Sequence, residues 1–287
     1  MIHYLVIFII FLTLNASGAD IYDILPPKQA DTWEKKETSR VVIPYPDKDQ
    51  RTKEIYAGQL ISKRGTCSGT LIGKNLVLSA AHCFIDAKNG HLRSDRTSFY
   101  LHKSGTHEPY SSVRVTKVYL PKKFVTNYVS YFTEDGLLKE NKVNHYTSYD
   151  IALLEIDTDL GMDVGRNKVK LDERAISLDV KIASYPGDFD GKMSYQECNT
   201  INTLLTLEPS EIKENEFQIN ECYNAPGSSG SGLINMNDGK VWGVLSNGVK
   251  KDKGIWFVRF TRDTFKLLKS WYKGNYDLST TEVLYLD

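Results

Sequence analysis

After residue 41 the sequence divides into short apolar stretches separated by turn residues, and this pattern constrains the fold more than any other feature. Glycine, asparagine and aspartate stand in the turns, as at 73–75 and 237–239. Short apolar runs bounded by such turns are typical of all-β sandwiches and barrels. We predict strands at 55–61, 69–72, 76–79, 113–119, 151–155, 241–246 and 255–260.

One stretch has helical periodicity, at the C-terminal end of the chain. Phe265, Leu268 and Trp271 recur at the spacing of one helix face, and Thr261 stands where a capping side chain is favoured. We therefore predict a helix over about 261–273. Between 86 and 148 the sequence is polar and rich in tyrosine, which indicates a long functional or mobile loop region.

The N-terminal segment resembles a secretory signal. Residues 1–14 are almost wholly apolar, and the small residues that a signal peptidase requires follow at 15–19. An uncleaved membrane anchor is the alternative, although the apolar run is short for a bilayer span. We expect residues 1–19 to be removed as a signal peptide and the product to be secreted, either outside the cell or into the periplasm.

A charged, proline-containing segment follows at 20–40 and ends in Arg40, immediately before the apolar residues 41–43. This boundary indicates a propeptide that is cut between Arg40 and Val41. A disordered arm without processing is the alternative, and composition does not distinguish the two.

The balance of charge argues against two classes of partner. The chain has 36 basic and 36 acidic residues, so its formal net charge is zero. The usual electrostatic attraction to nucleic acid or to an anionic membrane is therefore missing. We expect no nucleic-acid partner, no membrane association after signal removal, and a monomer.

The chain has four cysteines, and an even number behind a signal peptide indicates two disulfides in an oxidising compartment. Of the three possible pairings, sequence proximity favours Cys67 with Cys83 and Cys198 with Cys222. A zinc site is the alternative, but no two cysteines have the close spacing of zinc ribbons or fingers. His91, His102, His107 and His145 lie in polar stretches, where we expect solvated side chains, and no metal motif connects them. We therefore expect neither a metal nor a cofactor.

Three segments carry candidate catalytic residues: 78–83, 149–154 and 226–232. They contain, in chain order, His82, Asp150 and Ser229. A serine hydroxyl becomes a good nucleophile when an imidazole removes its proton, and a carboxylate fixes the tautomer of that imidazole. These three residues are therefore the predicted catalytic triad. The glycines beside the serine would allow the amides of Gly227 and Ser229 to form an oxyanion hole.

Each segment alone has an ordinary structural explanation, such as a glycine-serine turn or a core histidine. Their joint occurrence in a strand-rich chain favours catalysis. A serine esterase or lipase is disfavoured because its nucleophile elbow needs a glycine where Ser231 stands, and its triad follows a different order. A non-catalytic binding module is the second alternative, although no triad member is missing.

The residues at 80–83 (Ala-Ala-His-Cys), 150–153 (Asp-Ile-Ala-Leu) and 227–232 (Gly-Ser-Ser-Gly-Ser-Gly) resemble the signature blocks of chymotrypsin-fold serine proteases. The resemblance covers most of the chain after Arg40. It implies an all-β fold of two packed six-stranded antiparallel barrels, at about 41–160 and 161–260, with a closing C-terminal helix. It also implies a triad in the cleft between the barrels and a Cys67–Cys83 disulfide. The resemblance further implies that the substrates are proteins or peptides.

Within that family the chain is similar to the bacterial glutamyl endopeptidase branch, on the residues after Val41 and the sequence around Ser229. This similarity also favours maturation between Arg40 and Val41. Trypsin-like zymogens carry an aspartate immediately before the nucleophile, where this chain has Ser228. Activation through a buried ion pair at that position is therefore not expected.

The resemblance places the walls of the S1 substrate pocket in two segments, near 223–226 and 243–248. Neither contains the aspartate expected for recognition of lysine or arginine, and Leu245 stands where the glutamyl branch has a histidine. The sequence therefore does not decide whether the enzyme prefers an acidic, an apolar or a polar residue at P1 of the substrate. The candidate S1 residues are Tyr223, Asn224, Leu245, Ser246, Asn247 and Gly248.

Overall fold

The structure is a computed structural model. It describes residues 40–86, 91–128, 149–171, 177–202, 216–219, 222–248 and 255–286. The predicted signal peptide at 1–19 and all of the predicted propeptide except Arg40 lie outside the described residues. In the described part of the chain, no helix has both the length and the apolar character that a bilayer span requires.

The first barrel is closed and antiparallel, and its six strands follow the order β6-β5-β2-β3-β4-β7, with β6 also pairing with β7. The strands are β2 (Ala57–Ser62), β3 (Gly65–Leu71), β4 (Leu76–Ser79), β5 (Thr97–Leu101), β6 (Val113–Pro121) and β7 (Ala152–Ile156). Strands β5 and β6 both lie in the region 86–148 that the sequence indicated as a long loop region; β6 was predicted, as the strand at 113–119, whereas β5 was not. Residues 87–90 and 129–148 of that region lie outside the described part.

The second barrel has six strands in the order β9-β10-β13-β12-β11-β8, closed by pairing of β8 with β9. The strands are β8 (Ser177–Ser184), β9 (Met193–Asn202), β10 (Glu216–Ile219), β11 (Gly232–Asn235), β12 (Val241–Gly248) and β13 (Ile255–Arg259). The predicted fold of two six-stranded antiparallel barrels is therefore confirmed.

Each barrel also carries a seventh strand from the opposite end of the chain. Strand β1 (Val41–Ile43) pairs with β9 of the second barrel, although the sequence placed it in the first. Strand β14 (Thr281–Tyr285) pairs along β6 of the first barrel. The first and last strands of the described part therefore cross between the barrels, which holds the barrels together.

The predicted C-terminal helix is confirmed as α3 (Arg262–Tyr272), with a capping box between Thr261 and Thr264. Two short helices were not predicted, α1 (Lys122–Tyr128) and α2 (Leu160–Asp163). A shared core lies between the barrels and includes buried side chains from the first barrel, the second barrel and α3. Its largest fully buried members include Tyr119, Tyr185 and Trp271. This core fixes the relative position of the barrels and of the loops at their boundary.

We expect Thr281→Val to destabilise the fold. The indole Nε1 of Trp271 donates a hydrogen bond to Thr281 Oγ1 at 2.9 Å, and both side chains are buried. Valine keeps the shape but leaves the buried donor unpaired, which costs about 1–3 kcal/mol of unfolding free energy. Urea unfolding measures the change. Thr280→Val is the matched control, because Thr280 is exposed, and its effect should stay within about 0.5 kcal/mol.

We also expect His102 to make the fold sensitive to acid. The sequence indicated a solvated histidine, but His102 is buried and its Nε2 lies 2.7 Å from Ile55 O. Burial lowers the pKa of His102 below its ordinary value of 6.5, against smaller opposing effects of that hydrogen bond and of Asp47. The unfolded chain therefore binds a proton near pH 6.5 that the folded chain does not. The unfolding free energy should fall as the pH drops below about 6.5, by at most about 1.4 kcal/mol per pH unit from this group.

Urea unfolding of wild type and His102→Gln between pH 7.5 and pH 5.5 checks this effect. The substitution should flatten the pH dependence, whereas substitution of the exposed His91 by glutamine should not. Equal slopes in wild type and His102→Gln would contradict the assignment.

Candidate active site

His82 lies in a short 3₁₀ helix, Ala81–Phe84, that follows strand β4. The next residue, Cys83, forms a disulfide with Cys67 on β3, so the helix is covalently attached to the barrel wall. The second disulfide joins Cys198 to Cys222, and both pairings are those that sequence proximity favoured. Because both sulfurs near His82 belong to a disulfide, they are not thiolate ligands for a metal.

The Asp150 carboxylate is buried, with 2% of its side chain exposed, and accepts three hydrogen bonds. Its Oδ2 lies 2.6 Å from His82 Nδ1, and its Oδ1 accepts from the His82 backbone amide at 2.8 Å. Ser246 Oγ donates to Oδ2 at 2.6 Å. An ionised carboxylate only accepts hydrogen bonds, so Nδ1 is the protonated nitrogen of the His82 ring. The opposite ring nitrogen, Nε2, is then an acceptor.

The side chain of Ser246 has a partner that the sequence analysis did not predict. We placed Ser246 in the S1 wall, and in the structure its hydroxyl is directed at Asp150 and 2% of the residue is exposed. A partner 96 residues away along the chain is not visible in local sequence patterns. Because Ser246 belongs to β12, this hydrogen bond ties the second barrel to the His82–Asp150 pair.

Ser229 lies in a turn that requires glycine on both sides. Gly227 has φ 99° and Gly230 has φ 89°, in the left-handed region that favours glycine. A Cβ atom at Gly230 would lie 2.2 Å from Ser68 O and 2.2 Å from Ser79 Oγ, both on the first barrel. The absence of a side chain at 230 therefore lets the segment carrying Ser229 approach the first barrel closely.

Ser68 fastens this segment to the first barrel. Its backbone amide donates to Ser229 O at 2.7 Å, and its hydroxyl donates to Gly227 O at 2.9 Å. The same hydroxyl accepts from the Tyr185 amide at 2.9 Å. A single buried serine of the first barrel thus fixes two backbone regions of the second. The sequence analysis did not identify Ser68, because its partners are more than a hundred residues away.

Ser229 and His82 line the same cavity, which has a volume of about 270 Å³. Gly227 and Pro226 also line it. Ser229 is partly exposed, whereas its neighbours Ser228 and Ser231 are 3% and 0% exposed. Ser229 is therefore the serine of this segment that a molecule in the cavity can reach.

The cavity is also lined by polar groups that the sequence analysis did not single out. These are Arg64, Arg93 and Tyr128. Burial raises the pKa of Tyr128 well above its ordinary value, and the charge of Asp150 raises it further, against the opposing charge of Arg93. Tyr128 is therefore a neutral hydroxyl group at neutral pH.

The remaining candidate S1 residues differ in burial. Leu245 is 1% exposed and packs in the core of the second barrel with Trp242 and Phe257. Tyr223 and Asn224 are partly buried. The backbones of Asn247 and Gly248 belong to β12, and their side chains lie outside the described part.

Tyr223 is held by its backbone, which exchanges two hydrogen bonds with the side chain of Gln196, at 2.7 and 3.0 Å. One face of its ring is covered by the guanidinium of Arg40, whose central carbon lies 3.8 Å from the ring centre. In this conformation, that face of Tyr223 is not open to a substrate.

The His82–Asp150 contacts and the cavity shared with Ser229 bring a hydroxyl, an imidazole and a carboxylate to the boundary of the two barrels. The imidazole is oriented by a buried carboxylate, and its second nitrogen is on the side away from that carboxylate. Such an imidazole can accept a proton from an alcohol in the same cavity and later return it.

Comparisons with known proteins give the following matches. The sequence profile of the family described as Trypsin matches residues 47–262. A glutamyl endopeptidase of Bacillus licheniformis is 25% identical over 222 residues, covering 73% of this chain and 60% of that protein. Serine protease 23 of Homo sapiens is 25% identical over 252 residues, covering 73% and 57%. The chain thus spans less than two thirds of the length of these curated relatives, 60% and 57%.

Solved structures share the fold. A structure titled as Glu endopeptidase in complex with MPD superposes with a TM-score of 0.63 at 20% identity, covering 82% of this chain and 97% of that one. The protease Anisep from Arthrobacter nicotinovorans superposes with a TM-score of 0.58 at 19% identity, covering 82% and 98%. Both agree with the two-barrel architecture described above.

We expect a far-downfield proton resonance from His82 Nδ1–H, because this proton lies in a short bond to a buried carboxylate. Asp150→Asn should abolish the resonance, since the charged acceptor is removed. Ser246→Ala should shift it without abolishing it, because Oδ2 loses one of two donors. Proton NMR measures the effect. Asp157→Asn, at an exposed aspartate, is the control and should leave the resonance unchanged.

Proposed function

The chain belongs to the trypsin family of serine proteases, and from this premise we propose that it is a secreted serine endopeptidase acting through Ser229, His82 and Asp150. The observation that carries the proposal is the 2.6 Å contact between His82 Nδ1 and Asp150 Oδ2. His82 lines the same cavity as Ser229. This is the pairing that a serine nucleophile requires.

In the proposed mechanism, His82 Nε2 takes the proton of the Ser229 hydroxyl while Ser229 Oγ attacks the carbonyl carbon of a peptide bond. The positive charge that develops on the imidazole is stabilised by Asp150, which is already desolvated and has little freedom to move. The protonated imidazole then gives its proton to the leaving amine. Water then attacks the acyl-enzyme, and His82 takes a proton from the water as the new bond forms. His82 returns that proton to the Ser229 oxygen as the ester bond breaks.

The negative charge on the carbonyl oxygen is proposed to bind the backbone amides of Gly227 and Ser229. The amides of Ser228, Gly230 and Ser231 donate to protein carbonyls at 3.1, 2.8 and 3.1 Å. These bonds hold the turn rigid around the two amides assigned to the oxyanion. A rigid pair of donors needs little reorganisation when charge develops, which is the main source of their catalytic effect.

We propose protein or peptide substrates in an extracellular or periplasmic compartment. The two disulfides agree with an oxidising compartment. The proposal includes removal of residues 1–19 as a signal and of 20–40 as a propeptide. The similarity to a glutamyl endopeptidase makes glutamate at P1 the first residue to test. Cleavage of a peptide library by the mature chain would establish the P1 preference.

Labelling with a fluorophosphonate probe tests the proposal. We expect the folded protein to react at Ser229, and Ser229→Ala to abolish labelling. Asp150→Asn should slow peptide hydrolysis by about 10³- to 10⁴-fold, because the imidazole loses its orienting acceptor. Ser231→Ala is the matched control in the same turn, since Ser231 is fully buried, and it should still label.

Mass spectrometry of the labelled peptide identifies the modified residue. A mature protein that is folded by circular dichroism but does not react at Ser229 would contradict the proposal. That outcome would favour the binding-module alternative.

A further inference from the structure

Arg40, the residue before strand β1, is held by a bidentate ion pair. Its Nη1 and Nη2 donate to the two carboxylate oxygens of Asp188 at 3.2 and 2.7 Å. The Arg40 side chain is only 5% exposed. Such a planar, two-point contact is specific for a guanidinium and is not reproduced by a lysine.

Two aromatic rings complete the contact. The guanidinium carbon of Arg40 lies 3.8 Å from the ring centre of Tyr223 and 4.5 Å from that of Phe189. Both distances are within the range of a cation–π interaction. An acidic group and two aromatic faces therefore surround one cation. We call Asp188, Phe189 and Tyr223 the arginine clasp.

The clasp is built from well-anchored parts of the second barrel. Asp188 and Phe189 lie in the 3₁₀ turn Gly187–Phe189 between β8 and β9, and the Gly187 amide donates to Pro226 O at 2.7 Å. Tyr223 is fixed by its two bonds to Gln196. Strand β1 pairs with β9, and this pairing places Arg40 at the clasp.

We infer that the arginine clasp is an intramolecular binding site for the Arg40 side chain, and that its occupation protects the Arg40–Val41 peptide bond from proteases that cut after basic residues. A protease of that kind must accept the arginine side chain in its own pocket and the adjoining backbone as an extended strand. Here the Arg40 side chain is bound in the clasp and cannot enter that pocket.

The backbone that follows the Arg40–Val41 bond is also paired in a sheet. Val41, Val42 and Ile43 pair with Tyr195, Ser194 and Met193 of strand β9. Cutting therefore requires release of Arg40 from the clasp together with local separation of β1. When such opening is fast relative to cutting, the cleavage rate follows the population of the opened state. The clasp thus sets the rate of processing at the bond predicted as the maturation site.

Limited proteolysis tests this inference. The protein retaining the residues before Val41, in a Ser229→Ala background that prevents self-cleavage, is treated with trypsin, and the new N-terminus at Val41 is quantified by mass spectrometry. A synthetic peptide of residues 34–47 gives the unprotected rate. We expect the native bond to be cut at least about a hundredfold more slowly than the peptide.

Asp188→Asn should raise the rate at this bond by about tenfold, because the shape of the clasp remains but its charge is lost. Arg40→Lys should do the same relative to the matching lysine peptide, since lysine remains a trypsin site but lacks the planar fork. Asp159→Asn is the matched control. It removes an exposed ion pair with Lys74, at 3.3 Å, and should not change the rate.

Two results would overturn the inference. One is a wild-type bond cut as fast as the peptide. The other is equal protection in wild type, Asp188→Asn and Arg40→Lys, because protection would then come from β1 alone. Urea unfolding of each variant shows whether a raised rate reflects global loss of stability. Because the readout is a cut made by trypsin, it is independent of whether Ser229 is a catalytic nucleophile.

Discussion

A buried carboxylate at the boundary of the two barrels is the interaction on which the rest of this structure depends. Asp150 is 2% exposed, and a charge without water is costly unless hydrogen-bond donors surround it. His82 supplies two donors from the first barrel, and Ser246 supplies one from the second. The charge is therefore satisfied only when the barrels are docked in one relative position. The docking that satisfies it also brings the imidazole to a cavity shared with Ser229.

That docking also depends on close backbone contact. Gly230 lies where any side chain would meet Ser68 O and Ser79 Oγ, and Ser68 forms bonds with both Gly227 and Ser229. The glycines around the nucleophile therefore have two functions. They shape the turn, and they allow the barrels to approach one another. The crossing terminal strands hold this arrangement, and the clasp on Arg40 anchors one of them near the same turn.

Much of the fold could be predicted because its signals are local. The strand at 76–79 and the capped C-terminal helix were identified from apolar runs, periodicity and turn residues. Strand β8 was missed, although Leu178, Val180 and Ile182 alternate as in a half-buried strand, because we sought continuous apolar runs. Strand β14 was missed because its single described partner, β6, lies more than a hundred residues earlier.

The sequence by itself determined the all-β class and the three segments that carry His82, Asp150 and Ser229, because each is encoded in residues that are neighbours along the chain. The two barrels were implied by the resemblance of those segments to chymotrypsin-fold proteases, and sequence proximity favoured the disulfide pairing that the structure has. Only the tertiary structure decided that the Ser246 hydroxyl binds the Asp150 carboxylate, that Leu245 belongs to the core, and that the Arg40 side chain is buried. Those outcomes depend on partners brought together by barrel closure and docking. The direction of a side chain within that packing is set by distant residues, which no local pattern contains.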